Sequence, residues 1–557
     1  MFASQPPNMT DYEAERRSFQ LDVPEYFNFA TDVIGKWASN STKPAMLWVG
    51  QHGEERGLTF AYFAERSNRA ANAFSKLGIK KGDRVLVMLP RVPEWWESVL
   101  GLMKIGAIPV PCTTLLTPKD IQFRAEAAEA IAIITDNEGA AKFEEVRSQC
   151  PTVKIAIVVE PNADMGREGW VNYSQVVDEA SLEFTGQKTR SDDPCLVYFT
   201  SGTVGYPKMV LHTQASYPIG HNITGKYWLD LHENDLFWNL SETGWAKFAW
   251  SNLFGPWSQG TAMFIQDARG KFNPIETLDM LNKYPITSLC APPTVYRMLV
   301  LDEPMKYMKA HPPMTLRHCV GAGEPLNPEV IKIWEDETDM TIRDGYGQTE
   351  TVLLCGNFPP LTVKPGSMGK PSPGFEVSVI DHDSSELPPN KEGDIAVRVK
   401  PNRPTWMFKE YWRNPDATNA CIRGDWYITG DRAYKDEDGY FWFVGRADDV
   451  IISAGYRIGP FEVESALKEH PAVAESAVVA SPDEMRGEIV KAFVILAPGY
   501  TASPELASEL QEHVKKVTAP YKYPREIEFV DSLPKTISGK IRRVELREME
   551  RQKKQSR

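Results

Sequence analysis

The sequence has no apolar stretch of the ~18 residues that a membrane-spanning helix requires. Its seven cysteines are odd in number and include no C-x-x-C pair, which argues against a disulfide framework and indicates a reducing compartment. It has no excess of basic residues either, and the net charge of −13 argues against nucleic acid as the main partner. The apolar and charged fractions, 42% and 25%, are ordinary for a globular protein.

The amino terminus also lacks the features of a targeting sequence. It carries Asp11, Glu13 and Glu15 early and has no apolar core segment, unlike a signal peptide or an Arg-rich, acid-poor transit peptide. The sequence therefore predicts a cytoplasmic protein, with an organelle matrix as the alternative if a targeting peptide has been removed. Self-association into a homo-oligomer is compatible with the sequence.

A P-loop is absent too, yet residues 198–208 form a loop suited to a polyphosphate. The spacing G-x-x-x-x-G-K-[ST] does not occur, and Pro207 directly precedes Lys208. The loop instead combines hydroxyl groups, glycines with accessible backbone N–H groups, and one lysine charge. Apolar runs at 195–199 and 209–211 predict that it is a turn between strands. Its candidate phosphate-binding residues are Thr200, Ser201, Gly202, Thr203, Gly205 and Lys208.

Apolar, β-rich runs alternate with helical patterns along the chain. Residues 84–89, 131–135 and 155–159 predict buried strands, while residues 63–77 and 121–128 have helical composition. Alternation of this kind indicates layered α/β sheets that are largely parallel. Because 557 residues exceed what one hydrophobic core supports, we expect more than one domain.

The pattern changes towards the carboxyl terminus. Residues 386–398 predict a small β-rich unit, and Asp438-Gly439 predicts a hairpin. Pro460 fits the first turn of a helix in the last part of the chain. The sequence therefore predicts an α/β protein with two domains, a large N-terminal domain of several subdomains over residues 1–447 and a small α+β domain over residues 448–557.

Several short motifs follow the phosphate-binding loop in a fixed order. They are G-A-G-E-P at 321–325, D-G-Y-G-Q-T-E at 344–350, T-G-D at 429–431, G-R-A-D-D at 445–449, G-Y-R at 455–457 and P-K-T-I-S-G-K at 534–540. With the loop they resemble the core motifs of the AMP-forming acyl-adenylate superfamily. Residues 241–245, 455–460 and 518–524 carry a closer match, and by them the chain looks most like the medium-chain acyl-CoA synthetases. The resemblance covers nearly the whole chain after the first few dozen residues.

The resemblance implies ATP and coenzyme A as substrates and Mg²⁺ as cofactor. It implies that Gly323, Glu324 and Pro325 line the adenine site, that Tyr346 lies against the adenine, and that Asp431 accepts hydrogen bonds from the ribose hydroxyls. The residues alone leave ordinary alternatives open, namely a turn for the glycine motif, core packing for the tyrosine and an Asx turn for the aspartate. The other implied nucleotide-site residues are Asp344, Gly345, Gly347 and Gln348.

The resemblance also implies catalytic roles for Lys540, Glu350, Thr349 and Arg446. Lys540 would bridge the substrate carboxylate and the α-phosphate of ATP, where a cation opposes the developing negative charge. Arg446 would hold phosphate oxygens, and Glu350 would be the Mg²⁺ ligand because it offers a hard oxygen donor. Read without the family, Lys540 is a solvated lysine of a basic tail and Glu350 a surface carboxylate.

The implied reaction has two steps. A carboxylate and ATP give acyl-AMP and pyrophosphate, and the coenzyme A thiolate then gives acyl-CoA and AMP. Between the steps the C-terminal domain would rotate about Asp448, which withdraws Lys540. After the rotation, the segment Gly455-Tyr456-Arg457 would face the acyl-adenylate. Candidates for binding the phosphates or the adenine of coenzyme A would then be Arg457, Arg486, Tyr523 and Arg525.

The implied acyl pocket involves Trp245 and Gly347. Acetate-activating relatives carry a tryptophan in place of Gly347, so the glycine predicts a deeper tunnel for a medium-chain acid. The alternative is a turn glycine that relieves backbone strain. An aryl acid stays open because Trp238, Phe248 and Trp250 add further aromatic surface near this segment.

Other functions also stay open. They are a ligase for branched acids, an acyl-AMP ligase that loads a carrier protein, and a catalytically silent nucleotide or acyl sensor. The presence of Lys208, Glu350, Asp431 and Lys540 argues against the silent sensor.

Overall fold

A computed structural model of the chain describes residues 5–159, 169–186, 188–200, 207–447, 449–453, 456–483, 486–518, 520–536 and 540–555. The strands are β1 (Pro44–Val49), β2 (Glu55–Thr59), β3 (Arg84–Met88), β4 (Ile108–Pro111), β5 (Ala132–Thr135), β6 (Ile155–Val158), β7 (Trp170–Asn172), β8 (Pro194–Thr200), β9 (Lys208–Thr213), β10 (Leu236–Asn239), β11 (Ala262–Gln266), β12 (Ser288–Ala291), β13 (His318–Ala322), β14 (Ile342–Gly347), β15 (Leu353–Gly356), β16 (Lys370–Pro371), β17 (Val377–Ile380), β18 (Gly393–Arg398), β19 (Glu410–Tyr411), β20 (Ile422–Arg423), β21 (Trp426–Lys435), β22 (Phe441–Arg446), β23 (Ile451–Ser453), β24 (Tyr456–Ile458), β25 (Val473–Asp483), β26 (Gly487–Leu496) and β27 (Glu526–Phe529).

The α-helices are α1 (Tyr12–Ser18), α2 (Phe29–Ala38), α3 (Phe60–Lys76), α4 (Pro93–Lys104), α5 (Pro118–Ala128), α6 (Asn137–Glu144), α7 (Tyr173–Asp178), α8 (His221–Ile223), α9 (Ala246–Ala249), α10 (Gly255–Ser258), α11 (Pro274–Lys283), α12 (Pro293–Leu299), α13 (Asp302–Ala310), α14 (Pro328–Thr338), α15 (Pro415–Ala420), α16 (Pro460–Lys468), α17 (Pro504–Val517) and α18 (Arg543–Gln555). Three π-helical segments lie beside α8, α9 and α10, at Ala215–Ile219, Thr224–Trp228 and Trp250–Phe254. None of the helices in the described ranges combines the length and apolar character that crossing a membrane requires.

The largest sheet has the strand order β16-β15-β14-β13-β12-β10-β11-β1-β2 among the described residues. Its central strands, from β14 through β13, β12, β10 and β11 to β1, pair in parallel. Strands β12 and β13 are buried along their whole length, as expected for parallel strands covered on both faces. The carboxyl ends of these strands therefore meet at one edge, where ligands of parallel sheets commonly bind.

A second parallel sheet has the order β4-β3-β5-β6-β7. It contains the predicted strands as β3, β5 and β6, and the predicted helices are present as α3 and α5. Helix α5 begins at Pro118 because Thr117 caps it, and the Asp120 side chain reciprocates in a capping box. The predicted layered α/β class is confirmed.

Two antiparallel sheets complete the region that precedes residue 447. Strands β8 and β9 flank the predicted turn and pair antiparallel, and β19 pairs with β9. Residues 201–206 of that predicted turn lie outside the described residues. The predicted small β-rich unit is present as β18 in the sheet β17-β18-β21-β20. Asp438 and Gly439 lie in the turn between β21 and β22, where the hairpin was predicted.

The carboxyl-terminal part forms a compact α+β unit. Its sheet has the order β24-β23-β26-β25, with β27 beside β26, and α16 begins at Pro460 as predicted. Half-buried ion pairs tie α18 to it, from Arg543 to Glu464 at 2.6 Å and from Arg547 to Asp449. The boundary between residues 447 and 448 stays a prediction, since Asp448 lies outside the described residues.

Candidate active site

A cleft of about 1900 Å³ opens at the carboxyl ends of the central parallel strands. Residues of strands β8, β9, β21 and β22, and of the segment before α18, contribute further parts of its wall. The cleft collects most of the predicted site residues, namely Thr200, Lys208, Trp245, Gly323, Glu324, Pro325, Asp344, Gly345, Tyr346, Gly347, Gln348, Thr349, Glu350, Asp431, Arg446 and Lys540. The sequence motifs, although separated by hundreds of residues, therefore share one surface.

The structure does not locate every predicted residue relative to this wall. Ser201, Gly202, Thr203, Gly205, Asp448 and Gly455 lie outside the described residues. The backbone of Tyr456 and Arg457 belongs to β24. Arg486, Tyr523 and Arg525 are not among the described residues that line the cleft. The Arg525 Nη1 instead donates a hydrogen bond to the Tyr523 hydroxyl at 2.9 Å.

A buried carboxylate organises the part of the cleft next to β21. Asp431 Oδ2 accepts hydrogen bonds from the Tyr346 hydroxyl at 2.5 Å and from Gln348 Nε2 at 2.8 Å. Its Oδ1 accepts from Arg446 Nη1 at 3.0 Å, across the register pair that joins β21 to β22. Burial raises the pKa of Asp431, while the Arg446 guanidinium acts in the opposite direction. Four predicted site residues thus meet at one carboxyl group.

Glu350 is the last residue of the motif at 344–350 and lies against β19. Its Oε1 accepts a hydrogen bond from the Tyr411 hydroxyl at 2.7 Å, and the Lys208 ammonium lies 4.7 Å from the centre of the same tyrosine ring. Burial raises the pKa of Glu350, and the charges of Lys208 and Arg446 oppose that shift. The phosphate-loop lysine and the predicted metal ligand are therefore close neighbours.

Glu350 fits a Mg²⁺ ion that is shared with a nucleotide. A carboxylate oxygen is the hard donor that Mg²⁺ prefers, and this ion commonly takes only one or two protein carboxylates. The described residues contain no group of three or more His, Cys, Asp or Glu side chains that could hold a metal ion by themselves. An ion at Glu350 would accordingly take its other ligands from phosphate and water.

The turn that carries Thr349 is fixed by a buried histidine. His212 Nε2 lies 2.7 Å from the Thr349 carbonyl oxygen, so this nitrogen is the donor, and its Nδ1 lies 2.9 Å from Ser216 Oγ. Burial lowers the pKa of His212 to about 4, which keeps the ring neutral. The backbone on the amino side of Glu350 is held by this contact, which the sequence analysis did not identify.

The glycine motif after β13 and the aspartate of β14 lie side by side. Gly323 has φ +113°, a conformation that favours glycine, and the neighbouring Glu324 pairs with Arg297 at 3.2 Å. Asp344 accepts hydrogen bonds from the backbone N–H groups of Gly345 at 2.9 Å and Leu326 at 3.4 Å. Burial nevertheless raises the pKa of Asp344 to about 8.

Two lysines line the cleft, and the charge of one acts on the other. Two hydrogen bonds join Lys540 to Thr536, from the Lys540 N–H to Thr536 Oγ1 at 3.0 Å and from the Thr536 N–H to the Lys540 carbonyl at 2.7 Å. Lys247 Nζ donates to the Ala322 carbonyl at 3.0 Å. Burial lowers the pKa of Lys247, and the charge of Lys540 adds to that shift. No sequence motif marks Lys247, although it follows Trp245 by two residues.

The aromatic end of the cleft lies between β14 and the π-helical segments. Trp245 and Gly347 both line it. A Cβ atom at Gly347 would lie 2.6 Å from the Val352 carbonyl oxygen and 3.2 Å from the Leu353 Cα. Glycine at this position therefore permits a close approach of the backbone and also leaves the cleft wall free of a side chain. Both interpretations, a turn glycine and an acyl tunnel, keep a physical basis.

Comparisons with known proteins agree with this geometry. Residues 36–412 match the family described as AMP-binding enzyme, and residues 462–540 match the AMP-binding enzyme C-terminal domain. The chain is 49% identical over 554 residues to the human mitochondrial acyl-coenzyme A synthetase ACSM3, covering 98% of this chain and 93% of that protein.

Solved structures are similar over nearly the full length. The anthranilate CoA ligase AuaEII, in complex with anthranoyl-AMP, superposes with a TM-score of 0.87 at 29% identity, covering 96% of this chain and 99% of that chain. A Brucella canis acyl-CoA synthetase superposes with a TM-score of 0.76 at 35% identity, covering 98% of this chain and 100% of the other.

Proposed function

This chain belongs to the AMP-binding enzyme family, and we propose that it is an AMP-forming ligase that joins a medium-chain carboxylic acid to coenzyme A. In the first step the acid and ATP give acyl-AMP and pyrophosphate. In the second step the coenzyme A thiolate displaces AMP and gives acyl-CoA. Splitting the reaction replaces hydroxide with AMP as the leaving group, which makes each step easier.

The observation that carries this proposal is the position of Lys540. It comes from the carboxyl-terminal unit, yet it lines the same cleft as Asp431 and Glu350 of the large domain. If the large domain holds the nucleotide, the carboxyl-terminal unit would therefore supply a cation, Lys540, next to the reacting phosphate. Positioned charge of this kind is the main source of catalysis in phosphoryl and acyl transfer.

The nucleotide is proposed to bind along β14 and β21. Asp431 has two carboxylate oxygens for the ribose hydroxyls, and its present donors, Tyr346 and Gln348, hold it in place from one side. The adenine would lie between Tyr346 and the segment Gly323–Pro325, where the glycine backbone leaves room for a flat base. Asp344, Gly345 and Gly347 would form the floor beneath it.

The phosphates are proposed to bind between Thr200, Lys208 and Arg446, with the loop residues Ser201, Gly202, Thr203 and Gly205 as further donors. Bound Mg²⁺ would be held by Glu350 and would supply charge neutralisation of the phosphate oxygens. Thr349, fixed by His212, would orient the backbone beside the α-phosphate. Lys540 would stabilise the charge that develops as the carboxylate attacks.

The second step is proposed to use a different arrangement of the two units. We propose the domain boundaries 1–447 and 448–557, with Asp448 as the hinge residue. Rotation would withdraw Lys540 and bring Gly455, Tyr456 and Arg457 towards the acyl-adenylate. Arg486, Tyr523 and Arg525 would then hold the anionic or aromatic parts of coenzyme A, which gives a role to side chains that lie away from the cleft in the present arrangement.

The acid is proposed to extend past Gly347 along Trp245. An aryl acid is the second candidate, because the anthranilate CoA ligase is similar over nearly the full chain and Trp245 offers aromatic surface. An acyl-AMP ligase that loads a carrier protein is the remaining alternative.

The test is an AMP-release assay with ATP, Mg²⁺ and coenzyme A across straight-chain acids from acetate to dodecanoate, with branched and aryl acids alongside. We expect kcat/KM to rise with chain length and then to fall sharply where the pocket ends. Each acid is also measured by pyrophosphate exchange without coenzyme A, which isolates the first step. Release of AMP only with a pantetheinylated carrier protein would favour the carrier-loading alternative, and absence of exchange with every acid would refute the proposal.

The compartment and the assembly state are proposed separately. The human relative is named as mitochondrial, and we infer that an organelle matrix is as compatible with this chain as the predicted cytoplasm. Localisation of a fusion protein that keeps both ends of the native chain decides between them. Homo-oligomerisation stays a prediction that size-exclusion chromatography with light scattering checks.

A further inference from the structure

One buried imidazole at the aromatic end of the cleft has no role in the proposed chemistry. His221 is 2% exposed and lines the cleft together with Tyr217, Thr224 and Trp250. Its Nδ1 lies 3.0 Å from the Thr224 hydroxyl oxygen. Its Nε2 is buried and has no hydrogen-bond partner among the described residues. Buried polar atoms are almost always paired, so this nitrogen calls for a partner beyond those that the described residues supply.

Aromatic rings surround the imidazole on two sides. Tyr217 meets His221 edge to face, with ring centres 4.2 Å apart, and Trp250 stacks on it with centres 5.8 Å apart and planes at 15°. The Tyr217 hydroxyl donates to the Ala246 carbonyl at 3.0 Å and is therefore already paired. These rings offer the imidazole no further polar partner, and His221 is itself one of the residues that line the cleft.

The backbone around His221 is itself unusual. The histidine begins the short helix α8, with a π-helical segment before it and another after it, and Trp250 begins a third. Such segments are rare and occur preferentially at functional sites, because the wider turn changes where a side chain projects. The indole Nε1 of Trp245 is a second buried nitrogen of the cleft wall without a hydrogen-bond partner in the described part of the chain.

We propose that His221 selects acids that carry a neutral hydrogen-bonding group, such as a hydroxyl, keto or arylamine group, at the end of the acyl chain or ring that reaches this wall. The proposal rests on the proposed function and narrows its substrate class. A hydroxyl both donates and accepts, so it pairs with either tautomer of the ring. A purely hydrocarbon acid of the same length would leave Nε2 unpaired.

The group must be neutral rather than ionised. Burial lowers the pKa of His221 well below its ordinary value, and the neighbouring His212 adds to that shift. The imidazole is therefore uncharged at neutral pH, and a second carboxylate on the acid would lose its hydration without meeting a cation at this residue. Dicarboxylic acids should accordingly be poor substrates even when their length is right.

The experiment compares matched pairs of acids, identical in length except for one neutral polar group. Suitable pairs are octanoate with 7-hydroxyoctanoate and 7-oxooctanoate, hexanoate with 5-hydroxyhexanoate, and benzoate with its hydroxy and amino derivatives; octanedioate is the charged control. For the wild-type enzyme, kcat/KM in the AMP-release assay should favour one substituted acid over its parent by about 10-fold, equivalent to ~1.4 kcal/mol. In His221→Phe, which keeps a ring in the stack, that ratio should fall to about one. His221→Gln should restore part of it, because the amide keeps a donor and an acceptor.

Tyr217→Phe is the matched control. It alters the same aromatic stack without touching the nitrogens of His221, so it should change kcat/KM for both members of a pair equally. Thermal unfolding of each variant separates a folding defect from a change in selectivity, and the ratio within a pair is insensitive to the fraction of active enzyme.

The outcomes separate the two proposals. If unsubstituted acids are activated and the ratio for every pair is the same in wild type and His221→Phe, the inference about His221 is wrong while the proposed function stands. A higher kcat/KM for octanedioate than for 7-hydroxyoctanoate also contradicts it. If no acid of the panel supports pyrophosphate exchange, the proposed function and the inference fail together.

Discussion

The two interpretations of Gly347 predict different behaviour when the residue is enlarged. If the glycine keeps an acyl tunnel open, Gly347→Trp should fill that tunnel and shorten the acids that the enzyme accepts. If it only relieves crowding of the backbone, any side chain should harm the enzyme without changing its preference. Gly347→Ala separates these cases because it adds one carbon, far too little to fill a tunnel but enough to test the backbone.

The expected dependence of kcat/KM on acyl chain length follows from burial of methylene groups. Each buried CH₂ contributes about 0.8 kcal/mol, which is roughly a 4-fold gain in kcat/KM. Butyrate and octanoate differ by four methylenes, so full burial gives a ratio on the order of 200 in the wild type. In Gly347→Trp we expect the octanoate-to-butyrate ratio to fall below about 10, since the added indole occupies the volume that the longer chain used.

The expected cost of adding a side chain at Gly347 follows from the geometry around the glycine. Gly347 lies at a register shift of the β14–β15 pair, where a Cβ atom would come within 2.6 Å of the Val352 carbonyl oxygen. Backbone atoms must then move, and overpacking of this kind typically costs about 1–3 kcal/mol. The turn that follows is closed by the Thr351 N–H, which donates to the Gln348 carbonyl at 3.2 Å, and it carries Glu350. Gly347→Ala should therefore lower kcat for all acids by a similar factor and keep the octanoate-to-butyrate ratio.

The assay is AMP release with acids of two to twelve carbons for the wild type and both variants, together with thermal unfolding. A Gly347→Trp enzyme that keeps the wild-type ratio would refute the tunnel. A similar fall in kcat for all acids in both variants, with the octanoate-to-butyrate ratio unchanged, would assign the effect to crowding of the backbone instead.

Three further predictions concern the cations and carboxylates of the cleft. Lys540→Ala should slow acyl-AMP formation by about 10²–10³-fold, measured by pyrophosphate exchange. Thioester formation from supplied acyl-AMP should change only a few-fold. Equal losses in both steps would contradict a role of Lys540 in the first step alone. Glu350→Gln should raise the Mg²⁺ concentration for half-maximal activity by about 10-fold or more, with the thermal midpoint as control. Burial raises the pKa of Asp344 to about 8, so the folded chain keeps a proton that the unfolded chain releases near pH 4. The free energy of unfolding should therefore fall as pH rises from about 4 to 8, by at most ~1.4 kcal/mol per pH unit. Asp344→Asn should flatten that dependence in thermal unfolding curves, and an unchanged slope would show that the carboxyl is not protonated.

The fold was largely predictable because its signals are local. Buried parallel strands read as continuous apolar runs, and the predicted strand at 131–135 corresponds to β5 at Ala132–Thr135. The predicted helix at 63–77 begins earlier, at Phe60, because Thr59 accepts a hydrogen bond from the Tyr62 N–H and caps it. Element type therefore follows from periodicity, while the ends depend on single capping contacts.

The family resemblance identified the candidate residues at 321–325 and 344–350, and the fold gives a physical reason for their shared location. The carboxyl ends of parallel strands meet at one edge of a sheet, and these two motifs lie at the ends of β13 and β14. Lys247 and His221 were missed because each is a lone residue without a motif, and π-helical segments next to both carry no periodicity that a sequence pattern reveals. Their positions depend on how several elements pack, which no local signal encodes.

The pair of Asp431 and Arg446 would connect nucleotide binding to the proposed rotation of the carboxyl-terminal unit. The two residues are register partners on β21 and β22, and their side chains are bonded at 3.0 Å. The carbonyl of Arg446 also accepts hydrogen bonds from the N–H groups of Asp449 at 3.0 Å and Val450 at 3.2 Å, so the arginine lies in the turn that leads into the second unit. If the ribose and a phosphate of the nucleotide compete for these side chains, nucleotide binding changes the contacts of Arg446, the residue from which that turn begins. An arginine at this junction can therefore respond to what occupies the cleft, whereas one in the middle of β22 could bind phosphate without affecting the orientation of Lys540.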